Sequence, residues 1–151
     1  MKKQFNKSLI ERFSRQIILK NIGILGQKKI LSSKVLIVGV GGLGCPVAEF
    51  LSRAGIGTIG VIDHDIVALS NIHRQSLYQS SDVGKSKVAV VKEKIKLINS
   101  GTKIKTYKLR INNTNFKRII DHYDFIVDGS DNFKTKFLLN DFCLRFKKIL
   151  I

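Results

Sequence analysis

The chain has 151 residues, 44% of them hydrophobic, with 27 Lys plus Arg against 11 Asp plus Glu and a formal net charge of +16. That length suits one domain with a real core, and the apolar fraction excludes a disordered basic tail. No apolar run approaches the ~20 residues of a membrane span, the basic start Met1–Lys7 leads into no secretion-signal stretch, and two cysteines are too few for a disulfide framework or a structural zinc site.

In chain order, Ser8 is expected to cap a helix over Leu9–Lys20, with Ile10, Phe13 and Ile17 at helical spacing and Gly23 as its stop. Ile24–Leu31 reads as a second short helix, ending at the Ser32-Ser33 break. The β-branched run Lys34–Gly39 has the character of a strand buried on both faces of a parallel sheet. It leads straight into Gly39-Val40-Gly41-Gly42-Leu43-Gly44 and then into a helical stretch, Cys45–Ala54, stopped by Gly55. Thr58–Asp63 is a second strand ending in an acid. Asp82 or Ser86 opens a helix through Ile98, with Val88, Val91, Ile95 and Ile98 on one face. Lys103–Leu109 reads as a half-exposed strand, Thr114–Asp121 as a short helix, Tyr123–Asp128 as a buried strand and Asn132–Phe146 as the last helix. Lys148–Ile151 begins one more strand.

Strands alternating with helices predict an α/β fold: a Rossmann-like, mostly parallel sheet with helices on both faces. Residues 1–33 form a helical segment ahead of it, and residues 34–151 form a nucleotide-binding domain that is expected to be incomplete. A strand that stops after four residues points to a fragment or a shortened copy.

Gly39, Gly41 and Gly44 have the G-x-G-x-x-G spacing, after a strand and opening a helix. The first glycine allows the tight turn, the second lets a phosphate or ribose near the backbone, and the third packs helix on sheet. Free N–H groups at the helix start then offer a place for an anion. The motif alone does not separate NAD, FAD, S-adenosylmethionine and ATP. Asp63 ends the next strand 24 residues after Gly39, near the ~20-residue offset at which an acid meets ribose hydroxyls; the plainer reading is a cap on the following turn.

Ser70–Gln75 is a polar loop carrying Arg74 and Gln75, and Lys87 follows twelve residues after Gln75 at a helix start. Cations arriving from the glycine turn's own sheet edge suggest that phosphates are being neutralised. Asp128-Gly129-Ser130-Asp131-Asn132 ends another strand on that edge. A carboxylate facing a polyphosphate needs a cation between them, which makes Asp131 a Mg²⁺ candidate; its alternative role is an N-cap for the last helix. Cys45 and Cys143 read as packing residues.

Taken together, Arg15-Gln16, Gly39–Cys45, Asp63-His64-Asp65, Ser70–Gln75, Gly84–Lys87 and Asp128–Phe133 resemble the ThiF/MoeB/HesA family, bacterial relatives of the ubiquitin-activating enzymes. The resemblance covers nearly the whole chain. It implies ATP-dependent adenylation of the C-terminal glycine of a small ubiquitin-like sulfur carrier, giving an acyl-adenylate and pyrophosphate. On that resemblance Gly41 and Gly42 bring backbone to the nucleotide and Asp63 binds ribose. Asn71, Arg74 and Lys87, with Gln75 beside them, hold phosphates, and Asp131 holds Mg²⁺. Arg15 matches an arginine that reaches across a homodimer into the neighbour's ATP site.

The family usually carries two Cys-x-x-Cys zinc pairs further on, and this sequence has neither. Two rival functions explain less. An NAD-linked oxidoreductase leaves Arg74, Lys87 and Asp131 without work, and a non-catalytic nucleotide-binding or dimerisation module shares the motifs without the reaction. The cations are 20 Lys and only 7 Arg, beside 21 Ile, so the charge reads as compositional bias. Neither a nucleic acid nor a membrane is expected as a partner, and the cysteine usage fits the cytoplasm.

Overall fold

The computed structural model describes residues 6–151; Met1–Phe5, most of the basic start and the first part of the 1–33 segment, lie outside the described residues. At its centre is strand β1 (Lys34–Val38), buried at every position after the first. Val35 and Ile37 point into one core and Leu36 and Val38 into the other, the period-2 alternation of a strand covered on both faces. The first core is closed by helices α3 (Gly44–Ala54) and α4 (Lys87–Ile98), through Cys45, Ala48, Val88, Val91 and Ile95. The second is closed by α5 (Asn113–Ile120) and α6 (Phe133–Arg145), through Phe116, Ile120, Leu139 and Phe142.

Strands β2 (Thr58–Ile62), β3 (Lys103–Tyr107), β4 (Phe125–Asp128) and β5 (Ile149–Leu150) complete a five-stranded sheet of order β3-β2-β1-β4-β5. Every pairing is parallel, with Val38 opposite Ile62 on one side and Asp128 on the other. The expected Rossmann-like architecture is thus present. The chain winds outward from β1 to β3 and then crosses back to β4, so the strand order reverses at β1/β4. Ligands in such sheets bind in the crevice beyond the carboxyl ends of the strands flanking that reversal. The edge strand β3 exposes Lys103 and Lys105.

The first two helices differ in detail from the sequence-based expectation. α1 spans Lys7–Ile17 and is capped by Asn6, whose Oδ1 accepts the Leu9 N–H at 3.0 Å, so Ser8 lies inside the helix. Gly23 does not end α1. With φ of +55° it ends the connecting turn and begins α2 (Gly23–Ser32). Both helices dock where α3 ends. The Phe13 ring lies against Gly55, and the Gln16 and Gln27 amides both donate to the Ala54 carbonyl, at 3.2 and 3.0 Å. Arg12 adds a bond to the Ile98 carbonyl at the end of α4. α3 and α4 run back from the carboxyl edge of the sheet, so these contacts put α1 and α2 at the opposite edge. No helix among the described residues is long and apolar enough to cross a membrane.

One contact between the sheet and the second core is unusually tight. The Tyr123 hydroxyl bonds Tyr107 at 3.0 Å and occupies the space that a β-carbon at Gly60 would need. Gly60→Ala is therefore expected to destabilise the fold by about 1–3 kcal/mol, as overpacking does. Urea unfolding of the variant beside the unaltered chain measures this; an unchanged midpoint would show that the contact relaxes freely.

Candidate functional site

The site begins where β1 ends. Gly39 turns with φ of +88° and donates its N–H to the Ile62 carbonyl, while Gly129, just after β4, donates to Val38. Gly39, Gly44 and Gly129 are packed so closely that a β-carbon on any of them would strike main chain of another. These three glycines are required by the fold. Gly41 and Gly42 are not: β-carbons there would stand 3.7 Å from Gln75 Nε2 and 3.8 Å from Arg74 Cγ, both ordinary contacts. Neither has the positive φ that favours glycine, so at these positions the chain leaves bare backbone facing outward without a packing reason.

Asp63 follows β2 and braces this turn. One carboxylate oxygen accepts the Val40 N–H at 2.9 Å and the other accepts the Asp65 N–H at 2.9 Å. Two bonds leave part of the carboxylate's accepting capacity unused. The expected ribose acid is therefore at the carboxyl edge, and it also does an architectural job there.

Arg74 and Gln75 come to the turn from the opposite side. The 3-10 turn Leu69–Asn71 carries Asn71, whose Oδ1 accepts the Ala68 N–H at 3.2 Å. Arg74 then lays its aliphatic stem beside Gly42, with Nη1 donating to the Ser70 carbonyl at 2.9 Å. Gln75 is 4% exposed, and its Oε1 is buried without a partner among the described residues. A buried unpaired amide oxygen is costly and calls for a donor.

Lys87, at the start of α4, has its Nζ 3.1 Å from Asp65 Oδ2 and is buried. The chain of contacts Lys87–Asp65–Asp63–Val40 joins it to the glycine turn. Asp63, His64 and Asp65 offer atoms within 4.8 Å of one another. These acids already have partners in Val40, the Asp65 N–H and Lys87. Beyond β4, Asp128 accepts from the Ser130 N–H and hydroxyl and pairs with Lys136 at 3.1 Å, shaping the loop. Asp131 is exposed and has no partner among the described residues. It does not cap α6. Asn132 does, accepting the Thr135 N–H at 2.9 Å, because its amide sits one residue closer to the first helical turn.

Arg15 is exposed on α1, at the far edge of the sheet, and is not brought to this site within the chain. Cys45 and Cys143 are free and buried. Burial pushes both thiols up, away from the thiolate that a nucleophile needs. Cys45 bonds the Val40 carbonyl, which the Tyr78 hydroxyl also reaches at 2.7 Å. Gly129 and Asp65 stand in the sequence motifs without an individual role, and Tyr78 stands outside them. Gly129 follows a strand as Gly39 does, which was a usable signal; nothing local marks Tyr78. Two grooves of about 230 and 530 Å³ flank α4, and the glycine turn lies in neither.

The sequence matches the ThiF family over residues 13–151. It is 45% identical over 148 residues to the adenylyltransferase and sulfurtransferase MOCS3 of Aedes aegypti, covering 98% of this chain and 34% of that protein. Identity to the sulfur carrier protein adenylyltransferase of Thermus thermophilus is 38%, over 98% of this chain and 55% of that one. The chain thus spans between a third and just over half the length of these relatives. Among solved structures, the tRNA N6-threonylcarbamoyladenosine dehydratase TcdA of E. coli in complex with ATP superposes with a TM-score of 0.90 at 28% identity, covering 97% of this chain and 60% of that one.

The loop that leads to Lys87 is anchored by Asp82, which is buried with Lys85 at 3.2 Å and Lys94 at 3.5 Å. Burial alone would raise its carboxyl, but the bonds from Lys85 and the Gln79 N–H, with the charge of Lys94, outweigh it and hold the group below its ordinary 3.8. A depressed carboxyl contributes stability above the unfolded-state value, and loses it as pH falls through the lower folded-state value. The unaltered chain is therefore expected to lose stability to acid below about pH 4, and Asp82→Asn to lose less over that range. Denaturant midpoints of both proteins from pH 6 to pH 2 measure the difference; parallel curves would refute it.

Proposed function

Because the chain belongs to the ThiF family, we propose that it carries the nucleotide site of an adenylyltransferase acting on the C-terminal glycine of a small ubiquitin-like sulfur carrier. The observation that carries this reading is the bare backbone at Gly41 and Gly42, with Arg74 and the unpaired Gln75 set against it. Glycine where packing does not ask for it is what a close-lying phosphate or ribose asks for. Names among the relatives agree: one is a sulfur carrier protein adenylyltransferase, and a structural neighbour was solved with ATP.

On this reading Asp63 accepts the ribose hydroxyls with the lone pairs its backbone bonds leave free. Asn71, Arg74 and Lys87 meet the phosphates, and Gln75 Oε1 finds its donor in the ligand. The carrier's carboxylate displaces pyrophosphate at the α-phosphorus, forming the acyl-adenylate. No side-chain nucleophile is required, since positioning and charge neutralisation supply the acceleration. That fits two cysteines buried as thiols. The donors present also suit a hard cation: Asp131, an exposed and unpaired carboxylate, would hold Mg²⁺, which supplies charge neutralisation between phosphates. Arg15 cannot serve the site of its own chain from the opposite sheet edge, which supports a homodimer in which it completes the neighbour's site. A cytoplasmic setting accords with two free cysteines.

A thermal-shift titration tests the nucleotide. Mg-ATP is expected to raise the melting temperature and NAD to leave it unchanged; stabilisation by NAD alone would overturn the reading. In the same assay Gly41→Ala should melt as the unaltered chain does without ligand and bind Mg-ATP about tenfold more weakly, a loss of ~1.4 kcal/mol. Asp131→Ala, with an unchanged melting temperature, is expected to lose Mg-dependent pyrophosphate exchange in the presence of a candidate carrier. Exchange at the unaltered rate would remove the metal role, and ATP binding without exchange in the unaltered chain would favour a non-catalytic module.

A further inference from the structure

Lys87 is the only buried lysine among the described residues. Its side chain is 7% exposed, while that of its partner Asp65 is 51% exposed, so the acid stands at the rim and the ammonium beneath it. Taking an ammonium out of water costs several kcal/mol unless a counter-charge meets it. Replacing such a pair by apolar residues often costs nothing. A lysine buried at the carboxyl edge against a half-exposed acid therefore calls for a reason other than stability.

The pair is not needed to hold the loops together. Main chain does that: the Lys87 N–H donates to the Asp65 carbonyl, Val67 to Lys85 and Gly84 to Val67, with Ile66 bridged to Ser86. The strap from residue 65 to 67 and the lead into α4 are thus zipped whatever the Asp65 side chain does. Nor does the neighbouring histidine claim that carboxylate. His64 Nε2 lies 2.7 Å from an Arg110 guanidinium nitrogen and 3.2 Å from Asp65 Oδ1. A ring nitrogen that accepts from the guanidinium has no proton for Asp65. Lys87 is the charge partner, and its bond to Asp65 Oδ2 occupies one of the three N–H donors of its ammonium.

We propose that Asp65 is a positioning residue: it holds the Lys87 ammonium in place and aimed, with donors to spare, at the site where nucleotide phosphates arrive. The inference rests on the nucleotide reading above and adds a residue to it. Asp65 makes no phosphate contact of its own, and a bare carboxylate at that rim would repel one. Its effect runs entirely through Lys87.

That dependence is tested by a double-mutant cycle on the 151-residue chain, with calorimetric titration of Mg-ATP and of adenosine. Asp65→Asn keeps the side chain's shape and removes its charge. It is expected to weaken Mg-ATP about tenfold while changing adenosine less than about twofold. In a Lys87→Met background the same substitution should change ATP affinity less than about twofold. An equal loss in both backgrounds, or no loss in the unaltered one, would overturn the proposal while leaving the nucleotide site standing. Loss of ATP and adenosine together from Asp65→Asn would make Asp65 architectural and also overturn it. An unaltered chain that binds no Mg-ATP would bring down the nucleotide reading as well.

Discussion

The closeness of three pieces of main chain governs the rest of this molecule. The Gly39 carbonyl lies against Gly44 and Gly129, so the end of β1, the start of α3 and the end of β4 form one rigid junction. No side chain fits between them. The junction holds the first turn of α3 directly over the strand ends, with the Cys45 and Val47 N–H groups donating to the Gly41 and Leu43 carbonyls. It also sits at β1/β4, where the strand order reverses. The crevice and the helix terminus are thus two views of the same contact.

Around that junction the polar groups divide into those that build the edge and those left over. Asp63 and Asp128 spend much of their accepting capacity on nearby N–H groups, which fixes the loops after β2 and β4. Tyr78 and Cys45 meet at the Val40 carbonyl and close the turn from beneath. The open Cα faces of Gly41 and Gly42, Gln75 Oε1 and Asp131 have no such internal employment among the described residues. The surplus is concentrated on one edge of the sheet, and this asymmetry makes the carboxyl edge a site.

Much of this was legible in the residues. Strand β1 announces itself because a parallel strand buried on both faces is an unbroken apolar run, and the G-x-G-x-x-G spacing is a backbone requirement that only glycine meets. α3 through α6 fall close to their expected bounds because helical periodicity and caps are local. What escaped was mostly non-local. Ser8 and Asn6 are equally good caps by type, and only the packing of Phe13 on Gly55 sets the register of α1. Gly23 carries a stop signal, yet the docking of α2 puts it at a start. Asp65 looks like one more exposed acid until the fold delivers Lys87 from 22 residues downstream. Asp131 and Asn132 are adjacent and both cap-competent, and a difference of one residue decided which of them remained free.

One edge of the sheet is guarded by charge. β3 presents Lys103 and Lys105 along its rim, and a row of ammonium groups repels a second strand that would dock there. β5 pairs with β4 on the far side of the sheet. Part of the +16 thus works as a colloidal safeguard on one flank. New pairing is discouraged on the β3 flank of the sheet.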